Sequence, residues 1–300
     1  MAWWVQRKQR RQPTAMQLVA LIALQVCLGP VCAQNANPPQ WAEETEKQEN
    51  VYRSRGTDVP GGYVTGRTLA KYVELLPSGF SSALGNLGPT ARWLDIGAGE
   101  GRAILDYHAP DFDSKQSPKR TRRGGKAQAV ALSVEDRRTD LWRRRAAKLG
   151  ADRIRYLSGK RLRDYTLAEL GKFQLITDVY GGFSYTNDLS TFVEKVLDFL
   201  DLDGGFYTMV QSVHLQDGKD DPGTWYLTEL VDPAGRDVTV CSWLKSVRCT
   251  RVACESQSTW EAPTELIYVR KVCNDVSVPR LEPLAFEAGT PPGRRFRLQR

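Results

Sequence analysis

The chain has 300 residues, 41% of them hydrophobic, enough to bury a full core, which excludes a globally disordered protein. Its formal net charge is +7, of which Arg7, Lys8, Arg10 and Arg11 supply +4 inside a 33-residue leader that has no acid. The remaining +3 excludes a uniformly basic chain, because between Lys115 and Arg163 seventeen Lys/Arg face only four acids (Glu135, Asp136, Asp140, Asp152) and the rest is net acidic. Such a block is a solvated face or loop, with an anion-attracting rim as the functional alternative.

The leader has the order of a signal peptide. A basic n-region precedes an apolar run from Leu18 to Leu28, interrupted only by Gln25, and Val31-Cys32-Ala33 satisfies the small-residue rule for cleavage before Gln34. Eleven residues are too few to cross about 30 Å of hydrocarbon as a helix, so no stable membrane span is expected. Export to a periplasm or out of the cell is the reading, with organelle targeting or a cytoplasmic location as alternatives.

Residues 34–60 are polar and Pro-containing, with room for one short helix near Trp41 to Tyr52. Leu69, Tyr72, Val73 and Leu76 then fall on one helical face. From Arg92 the pattern alternates. Strands are predicted at 92–96, 127–133, 153–157, 173–178 and 205–210, and helices near 100–107, 137–149, 166–170 and 187–200. Short apolar β-rich runs separated by helices imply a parallel sheet with right-handed crossovers. The basic stretch Pro110 to Lys126 interrupts this as a long loop, either disordered or functional. Beyond Val210, three stretches lean toward strand: Thr224 to Val231, Asp237 to Cys254 and Thr264 to Val272. The residues after Pro279, Pro/Gly-rich and ending in Arg294-Arg295-Phe296-Arg297, read as a mobile basic tail.

Cys27 and Cys32 lie in the leader, while Cys241, Cys249, Cys254 and Cys273 fall within 33 residues near the C-terminus. An even count in an exported chain predicts two disulfides, with three connectivities open. Paired C-x2-C knuckles are missing and no metal is expected.

The most informative segment is Trp93-Leu94-Asp95-Ile96-Gly97-Ala98-Gly99-Glu100-Gly101. An apolar strand carries an acid and breaks into a turn whose glycines alternate, at the start of a helix. Glycine supplies positive φ and lets a ligand approach the backbone, and the helix start presents unpaired N–H groups. A dinucleotide fingerprint spaces its third glycine one residue later and places its acid about twenty residues downstream. The segment resembles motif I of the class I S-adenosylmethionine-dependent methyltransferases, hh[DE]hGxGxG. Two further segments extend the likeness over residues 92–210. Phe173 to Gly182 looks like motif IV, and Leu200-Asp201-Leu202-Asp203-Gly204-Gly205 looks like the turn that leads into strand five.

The resemblance implies a doubly wound, mostly parallel Rossmann-like α/β sheet closed by an antiparallel extension, with 247–254 and 264–272 as its antiparallel pair. It also implies S-adenosylmethionine as cofactor, held by Asp95, Gly97, Ala98, Gly99 and Gly101 and, further on, by Ser133, Glu135 and Asp178. Two positions depart from the pattern. Where the family places a ribose-binding acid this chain has Ser133, which can make one such bond but not the charged fork, and Glu135 two residues later can substitute if the turn is rewound. Where the family has Gly-Asp beside the adenine this chain has Gly159-Lys160, and lysine offers no acceptor. Asp178 and His214 are the candidate acid/base groups, with Asp178 equally readable as a structural cap. Tyr63, Tyr180 and Tyr185 are candidates to line an acceptor pocket, against ordinary core packing.

The expected organisation is a signal peptide (1–33), an N-terminal extension with a lead-in helix (34–90), the cofactor-binding core (91–212), a β-rich cysteine-containing part (213–278) and the basic tail (279–300). Methyl transfer to an O or N acceptor is the leading function. The acceptor is a small molecule or a protein rather than nucleic acid, since no Asn-Pro-Pro-Tyr motif or separate recognition domain is present. An exported, non-catalytic methyltransferase-like scaffold is the alternative. A polyamine synthase of the same fold is disfavoured by the basic 115–163 stretch.

Overall fold

The computed structural model describes residues 66–109, 125–211, 228–257, 264–287 and 293–299. The leader and its cleavage site, the helix proposed near Trp41, Tyr63, His214 and most of the basic loop 110–126 lie outside these residues.

Strands β1 (Arg92–Ile96), β2 (Gln128–Leu132), β3 (Ile154–Leu157), β4 (Phe173–Asp178) and β5 (Leu200–Gln211) run parallel. Their partners β8 (Thr250–Gln257) and β9 (Thr264–Lys271) complete a seven-stranded sheet of order β3-β2-β1-β4-β5-β9-β8. β9 is antiparallel to both β5 and β8. The antiparallel closing pair therefore forms where the sequence places it. The strand order reverses between β1 and β4, and in open α/β sheets this is the crevice where ligands bind.

Strand alternation divides the core in two. Leu94, Ile96, Val130, Leu132, Ile176 and Phe206 face one side, where α7 (Leu189–Phe199) covers them with Phe192, Val193, Val196 and Leu197. Trp93, Ala129, Ala131, Leu175 and Tyr207 face the other. That side is covered by α1 (Leu69–Leu75), α3 (Arg102–His108) and α4 (Asp140–Leu149), where α2 (Phe80–Gly85) also packs. Small alanines on β2 let the helices lie close, and Trp142 of α4 fills the space beside the glycine turn.

Helix caps explain the boundaries. Thr68 and Thr139 accept N–H bonds from Lys71 and Trp142 at the starts of α1 and α4. At α5 (Leu167–Leu170), Thr166 and Glu169 form a reciprocal capping box. The short α6 (Gly182–Tyr185) follows β4. The C-terminal end of α7 is closed by the buried Lys271, whose Nζ donates to the Leu197 carbonyl at 2.8 Å.

Two expectations are corrected after residue 228. Within the stretch Asp237 to Cys254 read as strand-leaning, Val240–Lys245 forms a helix, α8, because Thr239 caps it and Val240, Cys241, Trp243 and Leu244 give a helical apolar face rather than alternation. The supposed mobile tail is ordered: β10 (Leu281–Glu287) and β11 (Gly293–Leu298) join β6 (Glu229–Val231) and β7 (Asp237–Val238) in a second sheet of order β10-β11-β6-β7. Phe286, Phe296 and the whole of Arg294 are buried there. Burial of two aromatic rings outweighs the weak local preference of a Pro/Gly-rich, charged segment.

Cysteines pair as Cys241–Cys254 and Cys249–Cys273, which selects one of the three connectivities. The first ties α8 to β8 and the second ties the turn before β8 to the end of β9. Among the described residues no helix is long and apolar enough to cross a membrane. The bridges close loops with sequence separations of 13 and 24 residues. Each is expected to contribute roughly 2–4 kcal/mol, so Cys241→Ser/Cys254→Ser should lower the urea unfolding free energy of the oxidised protein by that amount. An unchanged unfolding midpoint would show that the bridge does not constrain the unfolded chain.

Candidate functional site

The turn after β1 has the backbone that its glycines permit. Gly97, Gly99 and Gly101 have φ of +70°, +54° and +69°. A Cβ at Gly97 would lie 2.5 Å from the Gly181 Cα, and one at Gly101 would lie 2.3 Å from the Trp142 ring. Two of the three glycines are thus required by the protein's own packing, beyond any approach of a ligand. The turn is held to the sheet by the Ala98 N–H, which donates to the Leu132 carbonyl at 3.0 Å, and by the Tyr156 hydroxyl, which donates to the Gly99 carbonyl at 2.5 Å.

Asp95 is completely buried. Its carboxylate accepts from the Tyr72 hydroxyl at 2.9 Å and from the Thr177 hydroxyl at 2.7 Å, and Thr177 in turn accepts from the Trp93 indole N–H at 2.8 Å. Burial raises its pKa to about 7, against the two hydrogen bonds, with Asp178 adding to the rise and Arg67 opposing it.

Asp178 ends β4 next to Ile96 in register and is equally buried. Its two oxygens accept from the backbone N–H groups of Gly181 and Phe183, both at 2.9 Å. Burial raises its pKa to about 7, against those bonds and the positive charges of Arg294 and Arg67. This is the capping geometry: both oxygens are committed to shaping the loop after β4. In that loop Tyr180 sits at φ +51°, a conformation that costs a non-glycine residue energy and is concentrated at functional sites. Its half-buried ring lies 5.0 Å from the Arg67 guanidinium. Tyr185 ends α6 in the same loop.

At the end of β2, Ser133 is buried and its hydroxyl has no hydrogen-bond partner among the described residues. A buried, unsatisfied hydroxyl beside the glycine turn is what a ligand hydroxyl would complete. Glu135 follows two residues later. Its carboxylate pairs with the Arg137 guanidinium at 2.6 Å. Lys160 points to Glu169 at 2.6 Å and does not occupy the turn.

The structure therefore gathers Asp95, Gly97, Ala98, Gly99, Gly101, Asp178 and Tyr180 around the strand reversal, with Ser133 and Glu135 beside it at the end of β2. Sequence reasoning missed Tyr72, Thr177, Arg67 and Tyr156. The polar hydroxyl of Tyr72 within an otherwise apolar helical face was the one available signal. The set fits a ligand with a cationic group near Asp95, backbone-accepting edges along the turn and a hydroxyl near Ser133. S-adenosylmethionine has all three. Among the described residues no group of three or more His, Cys, Asp or Glu is placed to hold a metal ion.

No protein-family model matches the sequence, and no curated protein is similar to it in sequence. Solved structures are similar at low identity. An rRNA methylase from Streptococcus thermophilus is 14% identical over 66% of this chain and 97% of its own, with a TM-score of 0.39. The N-methyltransferase NodS from Bradyrhizobium japonicum, in complex with S-adenosyl-L-homocysteine, is 12% identical over 76% of this chain and 98% of its own, with a TM-score of 0.41. The CurJ carbon methyltransferase is 13% identical over 69% of this chain and 54% of its own, with a TM-score of 0.40.

The raised pKa values of Asp95 and Asp178, both about 7, set a pH dependence. An acid whose folded pKa lies above its unfolded value near 4 contributes stability that is full below that value and is lost as pH rises through 7. The slope is at most about 1.4 kcal/mol per pH unit for each group. Relative to the parent, Asp95→Asn should therefore gain stability between about pH 4 and pH 7 and level off above that in urea unfolding. A pH-independent difference between the two proteins would contradict it.

Proposed function

We propose that this protein is an exported S-adenosylmethionine-dependent methyltransferase acting on an O or N acceptor, a small molecule or a protein. The observation that carries the reading is the reversal of strand order between β1 and β4, with a turn of three positive-φ glycines and the buried Asp95 at that point.

When bound, the cofactor supplies a methyl group on a sulfonium, ready for in-line transfer to a nucleophile. The protein's part is mainly alignment. The glycine turn offers its backbone to the ligand, and Asp95 places negative charge beside the cationic methionine portion. Tyr72 and Thr177 hold that carboxylate in one orientation. The hydroxyl of Ser133 receives or donates one bond to the ribose. Asp178 shapes the loop that carries Tyr180, which forms one wall of the acceptor side together with Tyr185. With both oxygens committed to backbone N–H groups, Asp178 acts as a cap rather than as the base. Tyr63 and His214, an acceptor-wall and a base candidate, remain sequence-based parts of the proposal.

The two disulfides support export, since such bonds persist in oxidising compartments. Cleavage before Gln34 follows from the leader's pattern. Mass spectrometry of the native protein should find an N-terminus near Gln34, and a soluble pool retaining residues 1–20 would refute export.

Calorimetry with S-adenosylhomocysteine tests the site. Gly99→Val should abolish binding, because a β-branched residue cannot adopt φ +54° without strain. Ser133→Ala should lose about 0.5–1.5 kcal/mol, the worth of one neutral hydrogen bond. Glu135→Ala should lose less than Ser133→Ala, because the carboxylate is already committed to Arg137. Absence of binding to the parent at millimolar ligand would leave the fold as a non-catalytic scaffold.

A further inference from the structure

Arg294 lies in the last strand, outside the seven-stranded sheet, and is completely buried. One guanidinium nitrogen, Nη1, donates to the carbonyls of Phe183 and Thr186 at 2.9 and 2.8 Å. The other, Nη2, donates to the Thr228 hydroxyl at 2.7 Å. Residue Phe183 is therefore held through both of its backbone polar groups: its N–H by Asp178 and its C=O by Arg294. Upstream of those grips, between Asp178 and the Gly181 N–H that Asp178 also binds, lies Tyr180 at φ +51°, and the Gly181 Cα would lie 2.5 Å from a Cβ at Gly97. A continuous set of contacts thus runs from the C-terminal strand to the glycine turn.

A buried guanidinium is a costly way to fill a core. Apolar residues of similar volume are often neutral or stabilising in its place, so packing alone does not account for it. Its described hydrogen bonds go to two carbonyls and one hydroxyl, and those carbonyls close the loop that Asp178 opens. The planar fork of arginine reaches the two carbonyls with Nη1 and the Thr228 hydroxyl with Nη2, a spread of donors that the single nitrogen of lysine does not reproduce.

We propose that Arg294 is a positioning residue that locks the loop of residues 179–186 in its site-competent conformation, making the C-terminal hairpin an integral part of the acceptor side. The ligand consequences rest on the methyltransferase reading; the effect on the loop does not. The charged and titratable groups facing Asp178 are Arg294 from β11, Arg67 ahead of α1, Tyr72 from α1 and Asp95 from β1. Removing Arg294 takes away a positive charge that holds the Asp178 pKa down.

The test uses full-length protein carrying Arg294→Met, Arg294→Lys or the exposed-site control Arg297→Gln. Hydrogen exchange of Arg294→Met should show amides of 179–186 exchanging at least about tenfold faster than in the parent, with β2 and α4 unchanged. Affinity for S-adenosylhomocysteine should fall at least about tenfold, the loss of one charged hydrogen bond. Arg294→Lys should recover part of each effect, and Arg297→Gln should match the parent. Parent-like protection of 179–186 in Arg294→Met, or equal acceleration across every segment, would overturn the proposal. If Arg294→Met does not fold, the same exchange comparison on Arg294→Lys decides. Failure of the parent to bind S-adenosylhomocysteine would sink the methyltransferase reading, while the exchange comparison would still decide the role of Arg294.

Discussion

The site depends on how closely the turn after β1 approaches the loop after β4. A Cβ at Gly97 would lie 2.5 Å from the Gly181 Cα, and a Cβ at Gly181 would lie 2.5 Å from the Ile96 carbonyl oxygen. Neither position tolerates a side chain, so the two loops meet backbone to backbone where the strand order reverses. That contact fixes the width of the crevice between β1 and β4. Asp95 and Asp178, one strand position apart in register, are brought under its two sides. Everything that shapes either loop, from Trp142 under Gly101 to Arg294 behind Phe183, acts through this constraint.

Two buried carboxylates near one another are an expensive arrangement, and the protein handles them differently. Asp178 is satisfied by two backbone N–H groups, a fixed and preorganised pair of donors. Asp95 is satisfied by two hydroxyls, Tyr72 and Thr177, which are themselves held by packing and by the Trp93 indole. Burial still raises both pKa values to about 7. A cation placed in the crevice would relieve that cost, which is a physical reason for such a site to favour a positively charged ligand. The site thus holds folding energy that binding can release.

The second sheet changes how the chain is divided. The hairpin of β10 and β11 pairs with β6 and β7. It is also stitched to the start of α7, where the Ser190 hydroxyl donates to the Pro279 carbonyl and accepts from the Leu281 N–H. Trp243 of α8 donates to the same carbonyl. The C-terminal residues therefore brace the helix that follows the loop of residues 179–186, and Arg294 reaches the loop itself.

Local patterns made much of this architecture legible. The strands at 92–96 and 173–178, the capped helices between them, the antiparallel pair near the C-terminus and the positive-φ glycines follow from alternation, caps and glycine spacing, which act within a few residues. Other features were decided by contacts between residues far apart in the chain. Asp95 and Thr177 are 82 positions apart, and Arg294 and Phe183 are 111 apart. The ion pair of Glu135 with Arg137 is likewise a feature of the fold that local patterns do not show. The tail looked mobile because its proline, glycine and charge are read locally, whereas its order comes from strand pairing and from burying Phe286 and Phe296. The sequence by itself determined a parallel α/β sheet with a glycine-rich turn. Only the tertiary structure decided which polar groups are satisfied, because hydrogen bonding and burial are settled by neighbours in space.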